Sequence, residues 1–206
     1  MSDLKIVYQR GDISPLEPIE KRKKELRAYM RARRANNENR DVKEELLIEN
    51  LLSLGGIVKD KENFFVYLSY SSEAPTDGLI ERLLTLGKKV FCPRVEDDEM
   101  RAVAFLDDFT LSKEGIREPL GEPFLGRLDV AVTPLYAVDE QGNRLGYGKG
   151  YYDNFFQKRR DILKIGYCFD FQILSQVPHT AADVPLDIIV TDKRVLILSE
   201  KIKSKN

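Results

Sequence analysis

Apolar residues recur at helical spacing in the first quarter of the chain, then give way to short apolar runs bounded by glycine and proline. Ile19, Leu26 and Met30 share one stripe at ~100° per residue, and Pro18 suits a first turn, which predicts a helix over 18–35. A second helix is predicted from Asp41, with Glu44 three residues on as a capping box. Its buried side is Leu46, Leu47, Leu51 and Leu52, and Gly55–Gly56 end it. Phe64 to Tyr70 is rich in aromatic and β-branched residues and reads as a strand. Thr76 caps a third helix closing at Gly87, and Val90 to Pro93 is a short buried strand. Strand, helix and strand in so few residues imply a parallel crossover. The loop Ser69–Pro75 then sits at a strand's carboxyl end, where ligands of open α/β sheets gather.

Further on, Asp97, Asp98 and Glu99 form an acidic, solvated turn and Met100–Leu106 an outer strand. Gly115–Pro119 is a loop, Leu128–Pro134 a strand, Tyr151–Arg160 a helix and Lys164–Phe169 a strand. Ile188–Thr191 and Val195–Leu198 are the last two strands. The fold class is α/β: an open, mostly parallel sheet flanked by helices. Residues 18–199 form one domain, preceded by a loose arm over 1–17 and followed by a disordered tail over 200–206.

Composition narrows the function. Of 206 residues, 42% are hydrophobic, enough for a sizeable core. Charged residues make up 33% with a net charge of −1, which argues against a general nucleic-acid binder, so anion recognition must be local. One histidine, His179, and two separated cysteines, Cys92 and Cys168, leave little for a histidine triad or a Cys/His zinc site. Lone cysteines fit a reducing cytosol, and no apolar run approaches membrane-spanning length. A cytoplasmic protein without membrane or nucleic-acid partners is expected, acting as a monomer, with a dimer as the alternative.

The chemistry concentrates in Gly142–Asp153, GNRLGYGKGYYD. Glycines there let a ligand approach the backbone, and successive N–H groups in such a turn can face an anion. A helix starting near Tyr151 adds the positive end of its dipole, and Arg144 and Lys149 add full charges. On spacing alone, a phosphate cradle and a plain glycine-rich loop both stand. The first helix is strongly basic, with Lys23, Arg27, Arg31 and Arg34 on one face beside the apolar stripe. That face reads either as a cleft margin or as a solvated surface.

The string itself is more specific than its glycines. It resembles the signature of the 5-formyltetrahydrofolate cyclo-ligase (methenyltetrahydrofolate synthetase) family: a strand ending in proline, an aromatic turn, then G-x-R-L-G-x-G-x-G-Y-Y-D. Other matches follow in the same order: Lys23, Leu26 and Arg27 as K-x-x-L-R, Glu73 with Thr76, Gly115–Pro119 as GIREP, and Asp183–Asp192 as DVPLDIIVTD. The resemblance spans Lys23 to Asp192. It implies a fold akin to sugar-phosphate isomerase and CoA-transferase-like domains. It also implies a reaction using ATP and Mg²⁺ to turn 5-formyltetrahydrofolate into 5,10-methenyltetrahydrofolate, ADP and phosphate, through a phosphorylated formyl group.

Residue roles follow from the same resemblance. Lys23, Arg27, Arg144, Leu145, Gly146, Tyr147, Gly148, Lys149, Gly150, Tyr151 and Tyr152 would contact ATP, with Lys149 and Arg144 as catalytic cations. Leu68, Glu73, Gly148 and Tyr151 would contact the folate, and Asp153 and Asp183 would ligate Mg²⁺. Phosphoryl transfer needs positioning and charge neutralisation more than covalent catalysis, which suits a chain poor in His and Cys. Taken singly, Asp153 also reads as a first-turn helix carboxylate, Asp183 and Asp187 as loop caps, and Glu73 as an exposed loop residue. Rival functions are a sugar-phosphate isomerase-like enzyme using the same cradle and a non-catalytic binder of folate or RNA.

Overall fold

The computed structural model describes residues 18–106, 108–199 and 202. The expected arm over 1–17 and most of the tail lie outside them. Ile202 is the described exception, its N–H bonded to Ser199 O and its side chain packed on the core.

Helix α1 (Ile19–Ala35) and helix α2 (Arg40–Leu52) open the chain, followed by the single turn α3 (Gly56–Lys59). Strand β1 (Asn63–Val66), helix α4 (Asp77–Thr85) and strand β2 (Lys89–Glu96) form the expected crossover, with β1 and β2 parallel. Strand β3 (Glu99–Ala104) returns antiparallel to β2 through a turn at Asp97 and Asp98, both at positive φ. A two-stranded flap of β4 (Phe109–Leu111) and β5 (Arg117–Pro119) lies beside β2. Strand β6 (Val130–Thr133) leads into a small sheet containing β7 (Ala137–Asp139) and β8 (Arg144–Leu145), then helix α5 (Tyr151–Lys158) and strand β9 (Leu163–Tyr167). Strand β10 (Ile173–Leu174) joins the small sheet, and β11 (Ile188–Val190) and β12 (Val195–Ile197) finish the large one.

Among the described residues the large sheet runs β12-β11-β9-β6-β1-β2-β3. Its five inner strands are parallel and both edge strands antiparallel. This is the expected open, mostly parallel sheet. Side chains alternate across it, as the strand period of two requires. Phe64, Val66, Val130 and Val132 pack with Leu47, Leu51, Leu79 and Leu83 of α2 and α4. Phe65 and Ala131 face the other way, against Phe155 and Phe156 of α5. Helix α1 lies apart, its Leu26 and Met30 buried with Tyr136, Ala137 and Leu145 around the small sheet.

Several local expectations change. Helix α2 begins after Asn39, which is left-handed, and Asp41 lies in its first turn instead of capping it. Glu44 accepts a hydrogen bond from the backbone of Gly78 in place of closing a capping box. Its buried face is Leu47, Ile48 and Leu51, while Leu46 is exposed. Thr76 is the N-cap residue of α4 as expected, but its hydroxyl donates to Tyr67 O and accepts from Ser69 N, tying the loop to the end of β1 rather than bonding the helix's first N–H groups. Residues 117–119 of the GIREP segment pair as a strand. The stretch after Pro134 is more than an aromatic turn, because it carries a hairpin of its own.

Candidate functional site

The chain order of the large sheet reverses at β1. From β1 the chain winds outward through α4 to β2, and from β6 it winds the opposite way to β9. The gap beyond the carboxyl ends of β1 and β6 is therefore the topological switch point, where open α/β sheets bind ligands. A cavity of about 1300 Å³ opens there, lined by Leu68 after β1, Pro134 after β6 and residues of α1, the glycine string and the flap. Single-ligand sites measure roughly 300–1,000 Å³, so this one has room for two molecules.

The glycine string is built from its first residues upward. Asp139, fully buried at the end of β7, accepts from the backbone N–H groups of Gln141, Asn143 and Val177 and from the Asn143 amide. It fixes a tight turn in which Gly142 takes φ +86°, and a Cβ there would lie 2.7 Å from Leu186 O. Strand β8 then carries Arg144 inward. Its guanidinium is buried, 3.1 Å from Asp153 Oδ1, with the Tyr152 ring 5.3 Å away. Gly148 and Gly150 hold φ +96° and +71°, and Gly150 starts α5 with no side chain bonded to its first N–H groups. A helix start of this kind, its end uncapped, suits an anion.

Helix α1 closes the same space. Arg27 Nε donates to Gly146 O at 2.8 Å, and a Cβ on Gly148 would fall 2.8 Å from an Arg27 nitrogen. The basic helix and the glycine string, more than a hundred residues apart, are thus stitched together. Lys23, also buried, pairs with Asp183 at 2.8 Å. Burial alone would push Asp183 up, but the Lys23 ammonium and the Thr180 N–H and hydroxyl more than offset it and hold the carboxyl below its ordinary value. Asp153 is held between Arg144 and the N–H of Val184. Lys149 reaches across the mouth to Glu114 of the flap at 2.5 Å, with both side chains about half exposed. Arg31 and Arg34 diverge from the shared face expected of them. Arg34 is buried, donating to Leu135 O over the Tyr136 ring, while Arg31 is exposed and reaches the Tyr136 hydroxyl.

The opposite wall is different in character. Glu73 is buried rather than exposed on its loop, with Oε2 accepting from Tyr70 N at 2.8 Å and Oε1 from the Tyr147 hydroxyl at 2.7 Å. Burial pushes its pKa up, opposed by those two donors and by the Arg34 charge. The buried Tyr152 hydroxyl has no partner among the described residues.

The residues to which the resemblance assigned an ATP, folate or metal contact line this cavity: Lys23, Arg27, Leu68, Glu73, Asp153, Asp183 and the string from Arg144 to Tyr152. Sequence reasoning missed Asp139, whose signal was an Asp opening a D-E-Q-G-N turn. It also missed Glu114 and Thr180, which carry no local signal. Among the described residues no group of three or more His, Cys, Asp or Glu forms a ready metal cluster. A magnesium ion needs only one or two carboxylates, with phosphates and waters completing its shell, so the donor chemistry of Asp153 and Asp183 fits it.

Fold and site together define an open α/β protein whose switch-point cavity has a cationic glycine string on one wall and a buried, hydrogen-bonded carboxylate on the other. Residues 19–192 match the model of the 5-formyltetrahydrofolate cyclo-ligase family, and the chain belongs to that family. It is 35% identical over 141 residues to the Escherichia coli (strain K12) 5-formyltetrahydrofolate cyclo-ligase, covering 63% of this chain and 78% of that one. It is 30% identical to a probable 5-formyltetrahydrofolate cyclo-ligase of Caenorhabditis elegans, covering 88% and 98%. The solution structure of Aquifex aeolicus 5,10-methenyltetrahydrofolate synthetase superposes with a TM-score of 0.75 at 32% identity, covering 86% of this chain and 93% of that one.

Proposed function

We propose that this chain, a ligase by family, catalyses the ATP- and Mg²⁺-dependent conversion of 5-formyltetrahydrofolate to 5,10-methenyltetrahydrofolate, releasing ADP and phosphate. The observation that carries this reading is the junction of α1 with the glycine string through Arg27 and Gly146, facing a buried carboxylate across one cavity. The cationic side suits a triphosphate. Glu73 suits the amino and ring N–H donors of a pterin.

The chemistry balances without a protein nucleophile. The formyl oxygen attacks the γ-phosphorus and ADP leaves. The folate nitrogen at position ten then bonds to the formyl carbon and loses its proton, and phosphate departs. Both steps need alignment and charge neutralisation. Lys23, Arg27 and Arg144 are preset by their contacts with Asp183, Gly146 O and Asp153. Lys149 has the freedom of an exposed side chain and exchanges Glu114 for the moving phosphoryl group. Asp153 and Asp183 would hold magnesium, which when bound would offset phosphate charge. Tyr151, whose ring lies 5.9 Å from the Lys149 ammonium, offers a flat face to the folate beside Leu68 and Gly148.

The test is to follow methenyltetrahydrofolate absorbance with protein, ATP, Mg²⁺ and 5-formyltetrahydrofolate, then to omit each in turn. Product must require all four. Product formed equally well without nucleotide overturns the mechanism, and no product under any condition overturns the activity. No described helix is long and apolar enough to cross a membrane. A cytoplasmic location, in keeping with the free, buried Cys92 and Cys168, belongs to the same proposal.

A further inference from the structure

Tyr147 stands between the first and second glycines of the string's G-x-G-x-G core, Gly146 and Gly148, yet its hydroxyl turns toward Glu73. It lies 2.7 Å from Glu73 Oε1, across 74 residues of sequence. Its ring packs on Tyr136 with centroids 5.0 Å apart, and the Arg34 guanidinium lies 4.2 Å from the same Tyr136 ring. Arg34 is itself anchored on Leu135 O. Tyr147 is 43% exposed, so its ring contact with Tyr136 and its hydroxyl bond to Glu73 are what hold it there.

Glu73 needs that support. It is buried, and no Lys or Arg lies within ion-pairing distance among the described residues. Its Oε2 closes its own turn through Tyr70 N, so among the described residues only the Tyr147 hydroxyl fixes Oε1. Each carboxylate oxygen has two lone pairs, and each therefore keeps one for a ligand. The groups facing Glu73 are Arg34 from α1, the phenols of Tyr67, Tyr147 and Tyr152, and Arg40, which donates to the Ser72 and Glu73 carbonyls and not to the carboxylate.

We infer that Tyr147 is a positioning residue for Glu73: its hydroxyl holds Oε1 in place as an acceptor aimed into the cavity. One side chain of the glycine string thereby serves the folate side of the site while its neighbours serve the phosphates. The inference rests on the folate reading of Glu73 given above.

Tyr147→Phe keeps the ring on Tyr136 and removes only the hydroxyl. Losing a hydrogen bond to a charged group should raise the KM for 5-formyltetrahydrofolate at least about tenfold. The kcat and the KM for ATP should change far less than the folate KM, because the substitution keeps the ring and backbone through which Tyr147 would contact ATP. Burial already favours the neutral acid, and losing a donor to the carboxylate favours it further. The acid limb of kcat/KM should therefore move to higher pH. A fall in folate KM would mean that Tyr147 competes with the substrate. A raised KM with an unmoved pH profile would mean packing alone. Either overturns the inference, as does a variant with unchanged kinetics.

A second measurement does not depend on turnover. In ligand-free protein, the Glu73 side-chain carbon can be followed by NMR titration, its signal assigned by its loss in Glu73→Gln. The midpoint should lie higher in Tyr147→Phe than in wild type, and equal midpoints sink the proposal. If wild-type protein makes no methenyl product, the folate reading and this role fall together. The titration then still decides whether Tyr147 governs Glu73.

Discussion

A buried carboxylate works against the fold that holds it. Glu73 has its folded pKa raised by burial. A group raised in this way favours the folded state fully below its unfolded pKa and loses that contribution as pH rises through the folded value. At neutral pH, holding Glu73 ionised therefore costs stability. Glu73→Gln should melt at or above the wild-type temperature at pH ~7 while raising the folate KM and leaving ATP affinity unchanged. A calorimetric scan beside steady-state kinetics checks both, and a lower melting temperature would mean that Glu73 is chiefly a turn residue. Lys149 is the opposite case. It is exposed and paired only with exposed Glu114, so it contributes within about half a kcal/mol to folding. Lys149→Ala should melt near wild type yet lose about a hundredfold to a thousandfold in kcat, the usual cost of one electrostatic donor in a transition state. Lys149→Arg should recover part of it, because a planar fork does not reproduce a compact ammonium. Normal turnover in the alanine variant would remove Lys149 from the mechanism.

At the scale of elements, α1 matters because one face performs two tasks. Its outer turns bring Lys23 and Arg27 to the cavity, and Arg34, buried near its end, docks the helix onto the small sheet. Arg34→Ala should accordingly destabilise the fold by on the order of 2 kcal/mol, through lost buried contacts, whereas Arg31→Ala should not. Urea unfolding of the two variants makes the comparison, and equal midpoints would contradict the assignment. The Gly148 turn is matched to the same helix. Its φ of +96° disfavours any side chain, and an added Cβ meets the Arg27 guanidinium. Gly148→Ala should weaken ATP binding about as much as Arg27→Ala, and the double variant should lose little more, since both act on one contact. Titration with a non-hydrolysable ATP analogue would show additive losses if the two sites are independent.

Across the whole molecule, the site is assembled from segments that meet only in the folded chain. Helix α1, the loop after β1, the flap, the glycine string and the stretch around Asp183 converge on one cavity at the switch point. Ligand binding should therefore stabilise the entire fold rather than a local part. An ATP analogue with Mg²⁺ at about a hundred times its Kd adds about 2.7 kcal/mol. For a chain of this length that corresponds to roughly 5–10 °C in melting temperature. A chelator should abolish most of the rise if Asp153 and Asp183 bind the metal, and an unchanged rise would mean that the phosphates are held by the cations alone.

The chain's periodicities by themselves determined the order of the main helices and of the large sheet's strands, the parallel crossover and the open sheet, but not the flap or the small sheet, because the former depend on short-range spacing and on the sides that must be buried. The ordered motifs pointed to the family and to residues that the fold brings around one cavity. Only the tertiary structure decided the rest. A helical wheel placed Arg31 and Arg34 on one face, but the small sheet buries one and leaves the other in water. Spacing could not choose between cradle and plain loop, since the choice depends on α1 lying against Gly146 and Gly148. A loop glutamate is ordinarily exposed, and Glu73 is not, because its turn folds inward and Tyr147 meets it from far along the chain. Contacts of that kind set burial and charge pairing, and they have no signature in local sequence.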